Sequence, residues 1–164
     1  MAKKDKAVST ISTQVLPKSI RASISGRNSF VPLSNSYKWV YGEVTASSST
    51  IDLFSSSMTF MGTTTKLTTT DKILWLGLKH TGTIDGTSKT SDGILIALDN
   101  NNSLAYNTGD AMFIDSKEML VSKFPNTTVG DLTIISTAVL SGLPASSTPG
   151  NVKVIVAAMI QDVS

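Results

Sequence analysis

The sequence predicts an all-β fold, an antiparallel β-sandwich with a jelly-roll-like arrangement of about 8–10 strands. Short apolar runs recur through residues 71–137, and each is closed by Gly, Asp, Asn, Pro or Thr. The runs are too short for amphipathic helices and are rich in residues that strands favour. Ser and Thr are abundant, whereas the helix former Glu occurs only at Glu43 and Glu118. Together these features indicate strands joined by turns.

Length and composition restrict the class of protein. The chain has 164 residues, enough for one domain with its own core, and only 16% are charged. It has no cysteine, which excludes disulfides, thiolate nucleophiles and Cys-ligated metals. The first residues lack the apolar core of a signal peptide, and the longest apolar run, Val154–Ile160, is far shorter than the ~20 residues of a membrane span. We therefore expect a protein made in the cytoplasm, with no membrane partner.

Charge is unevenly distributed along the chain. Residues 1–27 carry six basic and one acidic side chain, a net charge of +5, whereas residues 28–164 carry eight basic and eleven acidic ones, a net charge of −3. Such a basic segment either reaches an acidic partner or is simply solvated. It lacks the Arg density and interleaved aromatic residues of a nucleic-acid binder, so nucleic acid is not an expected partner.

Residues 1–27 are predicted to be a basic, extended N-terminal arm ahead of a single sandwich domain, residues 28–164. Met1–Thr13 is expected to be disordered or ordered only conditionally. Val15–Ser25 alternates apolar and polar residues around Pro17, which cannot donate to a strand ladder, so an edge strand or an extended arm is expected. Such an arm could add itself to the sheet edge of a neighbour. Its candidate partner-binding residues are Leu16, Lys18, Ile20, Arg21, Ile24 and Arg27.

The strand predicted at Tyr37–Thr45 carries an aromatic stripe. Tyr37, Trp39 and Tyr41 share one face because side chains alternate along a strand. The stripe is interpreted first as the hydrophobic face of an outer strand, and second as a surface on which sugars stack.

The remaining elements follow from the same pattern of short apolar runs closed by turn residues. The predicted strands are Ile51–Phe54, Met58–Met61, Lys72–Thr81, Ile94–Asp99, Ala111–Asp115, Glu118–Phe124, Asp131–Leu140 and Val152–Val163. Ile94–Leu98 is apolar at every position, so one face would meet the opposite sheet and the other needs a loop, the arm or another subunit. An immunoglobulin-like sandwich is the alternative fold, but its Cys–Trp–Cys landmark is missing.

Candidate catalytic and metal-binding residues are few. His80 is the only histidine. Asp99–Ser103 has oxygen ligands at alternate positions but lacks the glycine and distal Glu of a calcium loop, so a plain turn is favoured. Asp110 with Asp115 and Glu118 could pair as acid and base, although solvated strand ends explain them more simply. No nucleophile elbow, P-loop, dinucleotide fingerprint or HExxH motif is present. We expect no enzyme activity, no metal and no cofactor.

Four stretches of the sequence carry a resemblance to a known class of protein: DKILWLGLKHTGT, TSDGILIALD, AYNTGDAMFID and FPNTTVGDLTIIS. They resemble small structural proteins of tailed bacteriophages, the capsid decoration (cement or auxiliary head) proteins, which have a compact β-sandwich body. The resemblance implies trimers at local three-fold positions, or subunits that bridge capsomers, with an N-terminal arm that grasps the major capsid protein. It also implies a location on the capsid surface of the virion.

The main hypothesis from the sequence is therefore a non-enzymatic protein that decorates and stabilises a phage capsid through its arm. A second hypothesis is a receptor- or glycan-binding module of a phage fibre or spike, with Tyr37, Trp39 and Tyr41 as its platform. A third is a jelly-roll coat protein that forms a shell and whose arm binds the genome.

Overall fold

The computed structural model describes residues 6–15, 22–30, 37–54, 58–62, 67–98, 111–124, 127–137, 150–161 and 163. In these ranges the chain forms eleven strands, one 3-10 helix and no α-helix. The strands are β1 (Ala7–Val15), β2 (Ala22–Phe30), β3 (Tyr37–Ala46), β4 (Ile51–Asp52), β5 (Thr59–Gly62), β6 (Lys72–His80), β7 (Ile94–Ala97), β8 (Ala111–Ile114), β9 (Met119–Ser122), β10 (Thr133–Ser136) and β11 (Val152–Gln161). All strand pairs are antiparallel, so the predicted all-β antiparallel fold is confirmed.

The chain divides into two compact units, Met1–Asn35 and Ser36–Ser164. This division comes later than the one predicted after Arg27, because β2 continues to Phe30. The first unit is a two-stranded hairpin in which β1 and β2 pair along their whole length.

The hairpin bears on the expectations for the N-terminal segment. Ala7–Val15, which overlaps the stretch expected to be disordered or ordered only conditionally, is a strand. It pairs antiparallel with β2, so the described parts of this segment form a hairpin and not the single extended arm that was expected. The physical reason is that β1 is rich in Val, Ile and Thr, which favour strands, and finds a pairing partner in β2. Pro17 lies between the strands, outside the described residues.

The larger unit contains two sheets packed as a sandwich. The five-stranded sheet has the order β5-β3-β11-β6-β9, and the four-stranded sheet has the order β4-β10-β7-β8. One apolar core lies between them, with Val40, Leu76 and Val154 from the first sheet and Ile96 and Ile134 from the second. The predicted sandwich is therefore confirmed.

The four-stranded sheet is buried on both faces at its centre. All four residues of β7 and all four of β10 are buried. The expectation that both faces of this run need a cover is confirmed. The burial is reached within one chain, so another subunit is not required for it.

An irregularity in β6 sets which residues of that strand face outward. Met159 of β11 pairs with Trp75, but the next residue, Ile160, pairs with Ile73, so Leu74 is an extra residue in β6. The extra residue lets Ile73 and Leu76 both enter the core and turns Trp75 to the outer face.

The strand predicted at Asp131–Leu140 begins later than expected. Val129–Asp131 is a 3-10 helix, and β10 starts at Thr133. The Asp131 carboxylate accepts hydrogen bonds from the backbone N–H and the hydroxyl of Thr128, at 2.7 and 2.8 Å, which fixes this turn.

Candidate functional surfaces

No residue of the hairpin formed by β1 and β2 is buried among those whose burial the structure describes. Val8 is 40% exposed and Ile11 is 49% exposed, although both are large apolar residues. The other residues in this set are exposed or half-exposed. An isolated two-stranded hairpin is only marginally stable in water. Packing against a further surface would therefore stabilise it.

The register makes the hairpin amphipathic. On one face, Ile11 lies opposite Gly26, and Ile24 lies opposite Thr13. The same face carries the pairs Ala7–Phe30, Ser9–Asn28 and Val15–Ala22. The other face carries Val8–Ser29, Thr10–Arg27, Ser12–Ser25 and Gln14–Ser23 and is almost wholly polar. By register, Ile11 and Ile24 therefore share one face of the hairpin, and Val8 lies on the other.

The structure describes only part of the predicted arm site. Leu16, Lys18, Ile20 and Arg21 lie outside the described residues. Ile24 lies on the apolar face by its register, and Arg27 is exposed on the polar face opposite Thr10. The two described positions therefore lie on opposite faces of the hairpin.

A second surface is the outer face of the five-stranded sheet. Trp39 and Trp75 flank Met159 as its register partners on β3 and β6. Met159 is only 2% exposed although it points away from the core, and both tryptophans are half-buried. Trp39 of the aromatic stripe is therefore half-buried on the outer face of this sheet.

Tyr41 behaves differently from Trp39. Its side chain is 55% exposed, and its register neighbours are the small residues Ala157 on β11 and then Gly77 on β6. The indole of Trp75 lies over Gly77: a Cβ at residue 77 would be 3.1 Å from Trp75 Cη2 and 3.3 Å from its Cζ2. These residues form a strip one row wide across the sheet, with Tyr41 at one end, Ala157 in the middle and the Trp75 ring over Gly77 at the other.

Polar groups border this strip on one side. Glu43 and Lys79 occupy the next row of the sheet, on either side of Ile155. The Glu43 carboxylate is 2.6 Å from the Lys153 ammonium, and both side chains reach solvent. Tyr37, the third residue of the stripe, pairs with Gln161 through its backbone, and its side chain is not described.

A buried ion pair ties the start of β3 to the start of β6. Lys38 Nζ lies 2.8 Å from Asp71 Oδ2, and the side chains are 1% and 0% exposed. The Asp71 carboxylate also accepts hydrogen bonds from the backbone N–H groups of Thr68 and Val163, at 2.9 and 3.3 Å. Burial raises the pKa of Asp71, but Lys38 and the backbone donors outweigh it and hold the pKa below 3.8. In the sequence, Lys38 lies two residues before Val40, so the two side chains share one face of the strand. This alternation indicates that Lys38 faces inward, but it does not identify Asp71 as its partner.

His80 has a structural role. The backbone N–H of Gly82 donates to its Nδ1 at 2.9 Å, so Nδ1 must be unprotonated, and Nε2 donates to the carbonyl of Asp92 at 2.8 Å. Burial lowers the pKa of His80 below its ordinary value of 6.5, although its contact with the Asp92 carbonyl and nearby carboxylates oppose this. Both ring nitrogens thus hold the backbone of Gly82 and Asp92 in place.

The acidic candidates act in turns. Glu118 Oε2 accepts a hydrogen bond from the backbone N–H of Asp115 at 2.9 Å, across a turn in which Lys117 has a φ of 70°. Asp85 accepts from the backbone N–H groups of Thr87 and Ser88, and these bonds lower its pKa. Asp110 and Asp99–Ser103 lie outside the described residues.

Across the ranges that the structure describes, no three His, Asp or Glu residues are grouped so that they could hold a metal ion. The same ranges contain no helix that is long and apolar enough to cross a membrane. Comparison with protein-family models, with curated proteins and with solved structures finds no match to this chain. The likeness to phage decoration proteins thus stays a prediction from the sequence.

Proposed function

We propose that this chain is a structural protein of a phage particle that decorates the capsid and stabilises it. In this proposal it is made in the host cytoplasm and binds the major capsid protein across the seams between capsomers. Each bound subunit adds interface area that must be lost before capsomers separate, so binding stabilises the shell by mass action. No catalytic step and no cofactor is involved.

The observation that carries the proposal is that the hairpin and the folded body are separate compact units. The body already has a core, whereas the hairpin exposes Val8 and Ile11. An element that cannot stabilise itself gains most by packing on another protein. We assign the anchoring role to the apolar face that contains Ile11 and Ile24. This replaces the single extended arm expected from the sequence.

The strand order of the body supports a jelly roll. Without the short β5, one sheet reads β3-β11-β6-β9 and the other β4-β10-β7-β8. Numbered one to eight along the chain, these are 1-8-3-6 and 2-7-4-5, the order produced when a long antiparallel hairpin rolls into two sheets. Viral capsid domains commonly use this fold. One fold serves many functions, so the strand order supports a virion protein only in combination with the hairpin.

Charge supports an acidic partner surface for the hairpin. Residues 28–35 carry no charge, so the unit Met1–Asn35 retains the +5 of its first 27 residues, against −3 for the body. A capsid surface with apolar positions flanked by carboxylates would match this unit. Three-fold association of the bodies would present three hairpins at once and raise avidity without new contacts.

Two single substitutions test the anchoring role. Ile11 and Ser12 are adjacent, exposed, and on opposite faces of β1. Ile11→Asp should weaken attachment to empty capsids of the encoding phage at least tenfold in co-sedimentation, because it places a charge in the apolar contact. Ser12→Asp adds the same charge to the polar face and should change attachment little. Equal binding by the two variants would overturn the anchoring role.

The jelly-roll strand order and the basic first unit also suit the shell-forming coat protein. The two functions differ in what the purified protein does alone. A coat protein assembles into closed shells, which light scattering and negative-stain microscopy detect. A decoration protein of this size stays a small oligomer, and a trimer would have about three times the chain mass of 17.3 kDa. Shell formation without a capsid would replace the decoration function.

A further inference from the structure

We propose that protonation of His80 releases the loop of residues 81–93 from the end of the sandwich while both sheets stay folded, so that this ring is a pH-sensitive switch. The switch goes beyond attachment to a capsid, because it lies in the folded body and needs no partner. His80 is the last residue of β6, and the loop leads from it to Ile94, the first residue of β7. The loop therefore connects the two sheets.

The His80 ring joins the two ends of this loop. Near the start of the loop, the backbone N–H of Gly82 donates to Nδ1 at 2.9 Å. Near its end, the backbone carbonyl of Asp92 accepts from Nε2 at 2.8 Å. His80 is 0% exposed, and both Gly82 and Asp92 are buried. A neutral imidazole, with one acceptor and one donor, satisfies both partners.

Protonation removes the acceptor on which this arrangement depends. An imidazolium ring has two N–H donors and no acceptor, so Nδ1 can no longer receive the N–H of Gly82. The new N–H of Nδ1 and the charge of the ring are then buried without compensation, which is unfavourable. Movement of Gly82 away from the ring relieves both effects, because water can then reach Nδ1 and the freed backbone N–H.

The charges around the ring do not provide this compensation. Burial lowers the pKa of His80 and outweighs the Asp92 carbonyl and the nearby carboxylates, which raise it. The Asp92 carboxylate already accepts from the backbone N–H of Gly150, and that of Glu118 accepts from the N–H of Asp115. The charged residues of the neighbouring elements are Asp85, Lys89 and Asp92 in the loop, Asp115, Lys117 and Glu118 in the turn before β9, Lys79 on β6 and Lys153 on β11.

The loop can move without loss of the core. No residue of the loop belongs to the apolar core between the sheets, and residues 85–89 are exposed. The N–H of Lys153 donates to the Thr83 carbonyl, and the hydroxyl of Ser116 donates to the Thr90 carbonyl. All four of these residues are half-buried, so water can replace the two bonds. Local opening costs little where few apolar contacts must break.

The tip of the loop has its own support, which acid does not remove. The Asp85 carboxylate accepts from the backbone N–H groups of Thr87 and Ser88, at 2.8 and 2.7 Å. These bonds lower the pKa of Asp85, so its carboxylate stays ionised under mildly acidic conditions. We therefore expect acid to release the base of the loop at Gly82 while the turn at its tip is kept.

The test is NMR spectroscopy of the full chain from about pH 7.5 to about pH 4.5. His80 is the only histidine, so its ring C–H signals give the midpoint of protonation without ambiguity. The protection of the Gly82 amide against hydrogen exchange, corrected for the intrinsic effect of pH, should fall at least tenfold with the same midpoint. The amides of Val156 and Ala158 in β11 should change less than twofold, as should that of Ser88 at the tip.

His80→Gln is the matched control, because its amide can accept from Gly82 and donate to Asp92 without titrating. In this variant the protection of the Gly82 amide should change less than twofold over the same pH range. An equal fall in the variant overturns the proposal, and so does an equal fall at Val156 or Ser88 in the unmodified protein. Should the variant not fold, the two midpoints in the unmodified protein decide: unequal midpoints overturn the proposal. No capsid enters this experiment, so its outcome is independent of the decoration function.

Discussion

Lys38 and Asp71 form an ion pair that is almost fully buried. Desolvation of the two charges is offset by their contact at 2.8 Å and by the backbone donors to Asp71. Removing one partner leaves the other charge buried without its counter-charge. The pair connects strands that are neighbours neither in sequence nor in the sheet, so it fixes how β3 and β6 begin relative to each other.

We predict that Lys38→Met lowers the free energy of unfolding by about 3 kcal/mol in urea denaturation, since it strands the Asp71 carboxylate. The control is Lys153→Met, which breaks the solvent-exposed pair with Glu43 and should cost under ~1 kcal/mol. A loss for Lys38→Met as small as that of the control would show that the buried pair does not stabilise the sandwich.

His80 gives the stability a dependence on pH. Its folded pKa lies below the 6.5 of the unfolded chain, so the unfolded state takes up a proton first as pH falls. The contribution of neutral His80 to the free energy of unfolding is fully present above pH 6.5. It is lost as the pH falls from 6.5 through the lower pKa of the folded state.

The corresponding variant is His80→Gln, whose amide can both accept from Gly82 and donate to the Asp92 carbonyl. We expect the protein to lose more stability than this variant between pH 7.5 and pH 5, as measured by urea midpoints. Parallel losses in the two proteins would mean that carboxylates, and not His80, set the pH dependence.

At the scale of elements, the hairpin and the central strands should differ in local stability. β3, β6 and β11 form the middle of the five-stranded sheet and contribute many core residues, whereas β1 and β2 pair only with each other. Local opening costs little where few apolar contacts must break.

We predict that backbone amides of β1 and β2 exchange with deuterium at least a hundredfold faster than those of β11 in the free protein. When the protein is bound to capsids, the amides of β1 and β2 should become protected while those of β11 change little. Strong protection of the hairpin in the free monomer would contradict an element that needs a partner.

At the scale of the molecule, the sandwich could be predicted because each strand of the body carries its own signal, a short apolar run closed by turn residues. The hairpin could not be predicted from the sequence, because the periodicity of one segment does not show that Ala7–Val15 pairs with Ala22–Phe30. The outward direction of Trp75 depends on one extra residue, Leu74, which no alternation pattern reveals. The Lys38–Asp71 pair joins residues 33 positions apart, a distance over which local patterns carry no information.

The proposed function depends on the division of the chain into two units. The body has a core of its own, whereas the hairpin would gain stability by attachment to another protein. The central claim is that the first unit carries the attachment. Residues 36–164 contain both sheets and the whole core, so this fragment should fold without residues 1–35.

The most direct measurement is co-sedimentation of the full chain and of residues 36–164 with empty capsids of the phage proposed to encode the chain, with circular dichroism to establish that the fragment is folded. The account predicts that the full chain sediments with the capsids and that the folded fragment stays in the supernatant. Equal sedimentation of the two would contradict the claim and would place the capsid contact on the sandwich itself. Failure of both to sediment would contradict the decoration function.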